Sequence, residues 1–130
     1  MRYNELSSII IGAAITVHRE MGPGLLERVY QRCLLKELQY LDVPVLEEVR
    51  VPVVYRGEDV GRDLRIDLLV DQRIVVEVKS VEELHPIHRA QVITYLKLTG
   101  HRLGVLINFN VTKLTDGLER IMNGYLEEEE

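Results

Sequence analysis

Tryptophan is absent from this chain, and cysteine and phenylalanine occur once each. The lone Cys33 excludes an intramolecular disulfide and cannot build a thiolate metal cluster. It lies among apolar neighbours in a stretch of helical spacing, where a buried, inert thiol is expected rather than a nucleophile. Long apolar runs are missing as well. The run from Ile9 to Ile15 falls far short of a membrane span. Glu5 precedes it, Arg2 is the only base ahead of it, and helical spacing continues through His18, Arg19 and Glu20, unlike a secretory leader. No membrane association and a cytoplasmic location are expected. Positive charge is also scarce. The formal net charge of −5 weighs against a broad basic surface for nonspecific nucleic-acid binding. Glu127 to Glu130 contribute four of those negative charges and leave a body near −1. Carboxylates of a metal site are moreover neutralised by the cation they bind.

What the chain does contain is enough for one domain. With 130 residues, 46% hydrophobic and 28% charged, residues 1–126 are expected to form a single globular unit followed by an acidic tail at 127–130. Ile9, Ile10, Ala13, Ala14 and Val17 recur at helical spacing and predict a first helix over 4–20, closed by Gly22 and Pro23. A second helix reaches to about residue 41, burying Leu26, Val29, Tyr30, Cys33, Leu34, Leu38 and Leu41. Alternation then predicts strands over 49–55, 64–70 and 74–79, the first held to a sheet edge or bulge by Pro52. A third helix over 86–99, a fourth strand over 103–108 and a last helix over 115–126 complete the order. The helix between the third and fourth strands makes a crossover, so that pair is expected to be parallel.

The third strand carries the first chemical signal. Alternation through Ile74-Val75-Val76-Glu77-Val78-Lys79 puts Glu77 and Lys79 on one face with Val75. A carboxylate and an ammonium on a strand fit for burial are costly unless they pair, bind a cation, or both. Taken alone, Glu77-Val78-Lys79 reads as an ion pair on a solvated sheet face. The preceding strand adds to it. Pairing Val70 with Ile74 aligns the apolar sets and sets Asp67 opposite Glu77, through a three-residue connection at Asp71-Gln72-Arg73. Opposed carboxylates repel unless something positive lies between them. Lys79 is one candidate, and a hard divalent cation, magnesium or manganese, is the other. On the third helix His88, Gln91 and Tyr95 share one face, which either meets solvent or packs on the sheet.

In order, Asp67, then Glu77-Val78-Lys79, then Gln91-x-x-x-Tyr95 resembles the PD-(D/E)xK nuclease superfamily, particularly its exonuclease-like branch with a Q-x-x-x-Y motif. Gly24-Leu25-Leu26-Glu27-Arg28-Val29-Tyr30 is similar to the bacterial family named for the signature GxxExxY. So are the stretch from Val17 to Glu27 and Leu106-Ile107-Asn108-Phe109. The likeness spans about 10–124. It implies a restriction-endonuclease-like α/β fold: a mixed four-stranded sheet flanked by helices, in αβββαβ order with an extra helix at each end. Carried over, it makes Asp67 and Glu77 metal ligands, Lys79 the charged catalytic partner and the Val78 carbonyl a further ligand. Glu27 is either an accessory ligand from the second helix or a first-turn carboxylate favoured by the helix dipole. Gln91, Tyr95, Tyr30 and His18 are placed near substrate or behind the ligands, with core packing the competing role for Tyr30 and a structural role for His18. The superfamily's proline before the first aspartate is replaced here by Arg65-Ile66.

The resemblance implies a magnesium- or manganese-dependent nuclease acting on DNA, with Lys79 orienting water or stabilising charge on the phosphate. Its rival is a nucleic-acid- or protein-binding module that keeps the fold without turnover, which the acidic balance favours. A homodimer through the apolar first helix is a further arrangement the sequence allows.

Overall fold

In a computed structural model, residues 1–124 and 126 are described; the acidic run 127–130 lies outside the described residues. Helices α1 (Tyr3–Met21) and α2 (Glu27–Tyr40) lead into strands β1 (Val45–Tyr55), β2 (Glu58–Val70) and β3 (Ile74–Lys79). Helix α3 (Pro86–Thr99), strand β4 (Leu103–Asn108), a 3-10 turn at Leu114–Gly117 and strand β5 (Leu118–Met122) follow. The strands form one sheet in sequence order, with β3 and β4 parallel and every other neighbouring pair antiparallel. A crossover through α3 produces that parallel pair, and β3, the middle strand of the sheet, is buried along its apolar length.

Each sheet face closes over its own apolar cluster. On one side Leu6, Ile10, Leu34 and Leu38 of α1 and α2 meet Val76, Val78, Val105 and Ile107. On the other, Val92, Tyr95 and Leu96 of α3 meet Leu69, Val75 and Leu106. The apolar stripe of α1 is thus taken up by the core. Cys33 is half-buried against the first cluster. Helix α3 can lie close to β4 because position 104 is glycine: a Cβ there would fall 2.6 Å from Val92 Cγ1, on a stiff β-branched side chain. Gly104→Ala is expected to cost about 1–3 kcal/mol by overpacking, and Val92→Ala in the same chain should recover part of it. Denaturant midpoints test this, and an unchanged midpoint for Gly104→Ala alone would refute the steric account.

The β2–β3 ladder runs in the register that the apolar pattern predicts, with Val70 opposite Ile74. Asp71 and Gln72 both take left-handed backbone angles, and the Arg73 N–H donates to the Val70 carbonyl at 3.0 Å. Pro52 sits where the β1–β2 register shifts, on a strand at the sheet edge.

Leu26, Val29 and Leu41, expected on the buried side of the second helix, are exposed, and three features of the backbone also differ from the sequence reading. Strand β1 begins at Val45 rather than near 49 and takes in Glu48, whose φ is 58°. Strict alternation in β2 also breaks: Ile66 joins the α3-side cluster, whereas Leu68 and Val70 join the other. The break lies where pairing skips Glu48 and Asp67, and a left-handed residue there reverses the local pleat. The third difference is the C-terminal helix expected over 115–126. It is replaced by the 3-10 turn and β5, which makes the sheet five-stranded. Leu114, Leu118 and Ile121 satisfy a helical spacing, but the open edge of β4 offers backbone groups that a strand satisfies and a helix does not.

Candidate active site

Two backbone-to-carboxylate hydrogen bonds tie Asp67 of β2 to Glu77 and Val78 of β3. The Asp67 N–H donates to Glu77 Oε2 at 2.8 Å, and the Val78 N–H donates to Asp67 Oδ2 at 2.8 Å. These side-chain bonds take over where the β2–β3 backbone ladder stops, after Leu68 opposite Val76. One oxygen of each carboxylate is therefore fixed by backbone. The others, Asp67 Oδ1 and Glu77 Oε1, accept no hydrogen bond from a described residue. Neither is sealed in, because no fully buried side-chain oxygen among the described residues lacks a partner.

Burial makes this pair electrostatically expensive. Glu77 is 2% exposed. Burial first, and then the Asp67 carboxylate, push the Glu77 carboxyl up to about 8. Burial likewise pushes Asp67 up to about 6, against the lowering effects of the Val78 amide and Lys79. Lys79 lies near enough to favour both charged forms, yet among the described residues it closes no ion pair. Glu48, on the far side of Asp67, is held ionised by a hydrogen bond from Gln31 and by Arg65 at 3.1 Å, and adds to the negative field. Two crowded carboxylates with an open oxygen each and no paired cation suit a hard divalent ion.

Lys79 ends β3 opposite Asn108 of β4, and its carbonyl accepts the Phe109 N–H at 2.9 Å. The chain beyond it is pinned. Asn108 is buried and bonds Val81 twice, accepting its N–H at 3.0 Å and donating to its carbonyl at 2.9 Å. Ser80 Oγ donates to the Leu25 carbonyl at 2.6 Å, and the Ser80 N–H donates to Glu27 Oε2 at 3.3 Å. Glu27, the first residue of α2, therefore reaches the end of β3. Its negative charge acts on both Asp67 and Glu77, raising their proton affinity, while among the described residues no three His, Cys, Asp or Glu side chains are already grouped to hold a metal ion. The Val78 carbonyl could add a further oxygen to Asp67 and Glu77.

Helix α3 turns Gln91 and Tyr95 toward the sheet rather than to bulk solvent. With Lys79, Leu64, Ile87 and His88 they line an open cleft of about 440 Å³. Gln91 Nε2 donates to the Tyr95 hydroxyl at 3.3 Å. Burial, then Glu77 and Asp67, raise the Tyr95 hydroxyl above its ordinary value, which places it in the field of the carboxylates.

Tyr30 and His18 are placed elsewhere. Tyr30 is fully buried, stacks on Phe109 at 4.5 Å, donates to the Gly22 carbonyl and accepts the Leu25 N–H at 3.1 Å. It braces the loop that carries Leu25 and Glu27, in keeping with the core-packing role. His18 Nε2 donates to the Val111 carbonyl at 2.8 Å, tying α1 to the loop after β4. Conversely, Glu48 and Asn108 received no site role from sequence. Glu48 precedes the strand as read from alternation, and a buried asparagine at a strand end shows its role only once Val81 is beside it.

A family model described as the PD-(D/E)XK nuclease superfamily matches residues 4–121. The chain belongs to this superfamily. No curated protein and no solved structure matches it. The α/β architecture, a mixed five-stranded sheet flanked by three helices, is consistent with the restriction-endonuclease-like fold of PD-(D/E)XK proteins. Membership points to nuclease-type function and a nucleic-acid substrate, and proteins of this superfamily typically use divalent metals. Among the described residues no helix is long and apolar enough to cross a membrane.

Proposed function

We propose that this chain is a metal-dependent nuclease that hydrolyses phosphodiester bonds in DNA, and that it belongs to the GxxExxY branch of the superfamily. The observation that carries the reading is the pair of buried Glu77 and half-buried Asp67, within the field of the Lys79 ammonium and closed by no ion pair among the described residues. Asp67 and Glu77 would hold magnesium or manganese, with the Val78 carbonyl as a further oxygen. Magnesium is commonly held by one or two carboxylates, the remaining positions going to water and substrate phosphate. When bound, the ion supplies the charge that polarises the scissile phosphate and acidifies attacking water. Lys79 stabilises negative charge developing on the phosphate or orients the water. Tyr95 and Gln91 hold the far wall of the site, and Asn108 and Ser80 hold the chain that leaves Lys79. Glu27 acts through Ser80, fixing the end of β3.

The test is a panel of single-stranded and duplex DNA and RNA incubated with magnesium, manganese or a chelator. Cleavage of DNA with either metal and none with chelator is expected; cleavage that persists in chelator would count against the reading. The formal charge of −5 favours a second reading, a binding module without turnover. Calorimetric titration with manganese separates the two, because a retired site has no reason to bind the ion.

A further inference from the structure

The cleft beside Lys79 is lined by unlike groups. Its polar lining includes Lys79 and His88, whose Nδ1 accepts the His85 N–H at 3.0 Å. A ring nitrogen that accepts carries no proton, so the hydrogen of this neutral ring sits on Nε2 as a further donor. Burial, then Lys79 and His85, hold the His88 ring below its ordinary value, in keeping with that neutral form. Its apolar lining includes Leu64, Ala90 and Ile87. Ile87 is 71% exposed in the first turn of α3, where the core makes no use of it.

Resting on the nuclease reading, we propose that this cleft takes one unstacked nucleotide of a single strand, with Ile87 as the wedge that keeps its base out of the stack. A volume of about 440 Å³ suits one small ligand, and two paired strands do not enter it. A phosphate meets Lys79 and the His88 donor, and the attached base meets Leu64, Ala90 and Ile87. Aliphatic wedges of this kind part neighbouring bases in other nucleic-acid complexes. Charge points the same way. Gripping a duplex requires neutralising many phosphates at once, whereas among the described residues Lys79 is the one Lys or Arg in the cleft lining, in a chain of net charge −5.

The experiment is fluorescence anisotropy on the full chain with manganese, using labelled oligothymidylate whose phosphorothioate linkages resist hydrolysis, against a duplex of equal length. Binding to the single strand is expected to be about tenfold tighter, and Ile87→Ser should weaken it by about tenfold, as loss of base packing does elsewhere. A melting temperature for Ile87→Ser close to the parent's verifies its fold, as the exposed position predicts. Equal or tighter duplex binding, or unchanged single-strand affinity in Ile87→Ser, would overturn the proposal. Single-strand preference that Ile87→Ser removes, in a protein that cleaves nothing, keeps the subsite and sinks the nuclease reading. Metal-dependent cleavage combined with duplex preference does the reverse.

Discussion

Lys79→Ala is expected to lower metal-dependent DNA cleavage by about 10²–10³-fold, the usual loss when one group that stabilises transition-state charge is removed. The fold should survive the change. Lys79 is held by backbone bonds to β4, and its ammonium closes no ion pair among the described residues that truncation would break. What disappears is the positive charge in the lining of the cleft. The same charge lowers the proton affinity of Asp67 and Glu77, so its loss also weakens the ionised state of both. Single-turnover rates at saturating manganese separate these effects, because a deficit in metal affinity vanishes at saturation and a deficit in chemistry does not. A saturated rate within about twofold of the parent, well below what one stabilising donor contributes, would remove Lys79 from the chemistry.

The second large effect is on stability. Below the ordinary carboxylate values, 3.8 for Asp67 and 4.5 for Glu77, both folded and unfolded chains carry the protons and nothing is lost. As pH rises above them, the unfolded chain releases its protons while the folded pair keeps them. The folded state then binds more protons, so its stability falls until Glu77 itself ionises near 8. In chelator the protein should therefore melt lower at pH 8 than at pH 5, and Glu77→Gln should flatten that slope. Manganese at pH 8 should restore stability to the parent, by about 2.7 kcal/mol at a hundredfold excess over its dissociation constant, and do little for Glu77→Gln. Thermal melts across pH, with and without manganese, provide the measurement. A parent and variant with the same pH slope would show that burial of Glu77 carries no penalty, and with that the physical case for a cation site would collapse.

Much of the site could be read from the chain because it lies on strands, where a period of two is unforgiving. Apolar residues at 68, 70, 74, 76 and 78 permit one pairing, and a slip by one residue would turn them all to the wrong face. Asp67 and Glu77 follow from that pairing. The third helix was equally legible from Pro86 at its start and Gly100 at its end. The last segment was not, because Leu114, Leu118 and Ile121 follow a helical spacing, and the edge of β4 overrides it.

By itself, then, the sequence determined the element types through β4, the register that opposes Asp67 to Glu77, and the face shared by His88, Gln91 and Tyr95. Each of these depends on local periodicity, which needs no knowledge of distant chain. Tertiary structure alone decided that Tyr30 is sealed under a loop, that Glu27 accepts the Ser80 N–H at the end of β3, and that Glu48 stands beside Asp67. It also decided that Ile87 stands exposed over a cleft. These are contacts between segments far apart in the chain, settled by which buried polar groups find partners and which space remains when the core is filled.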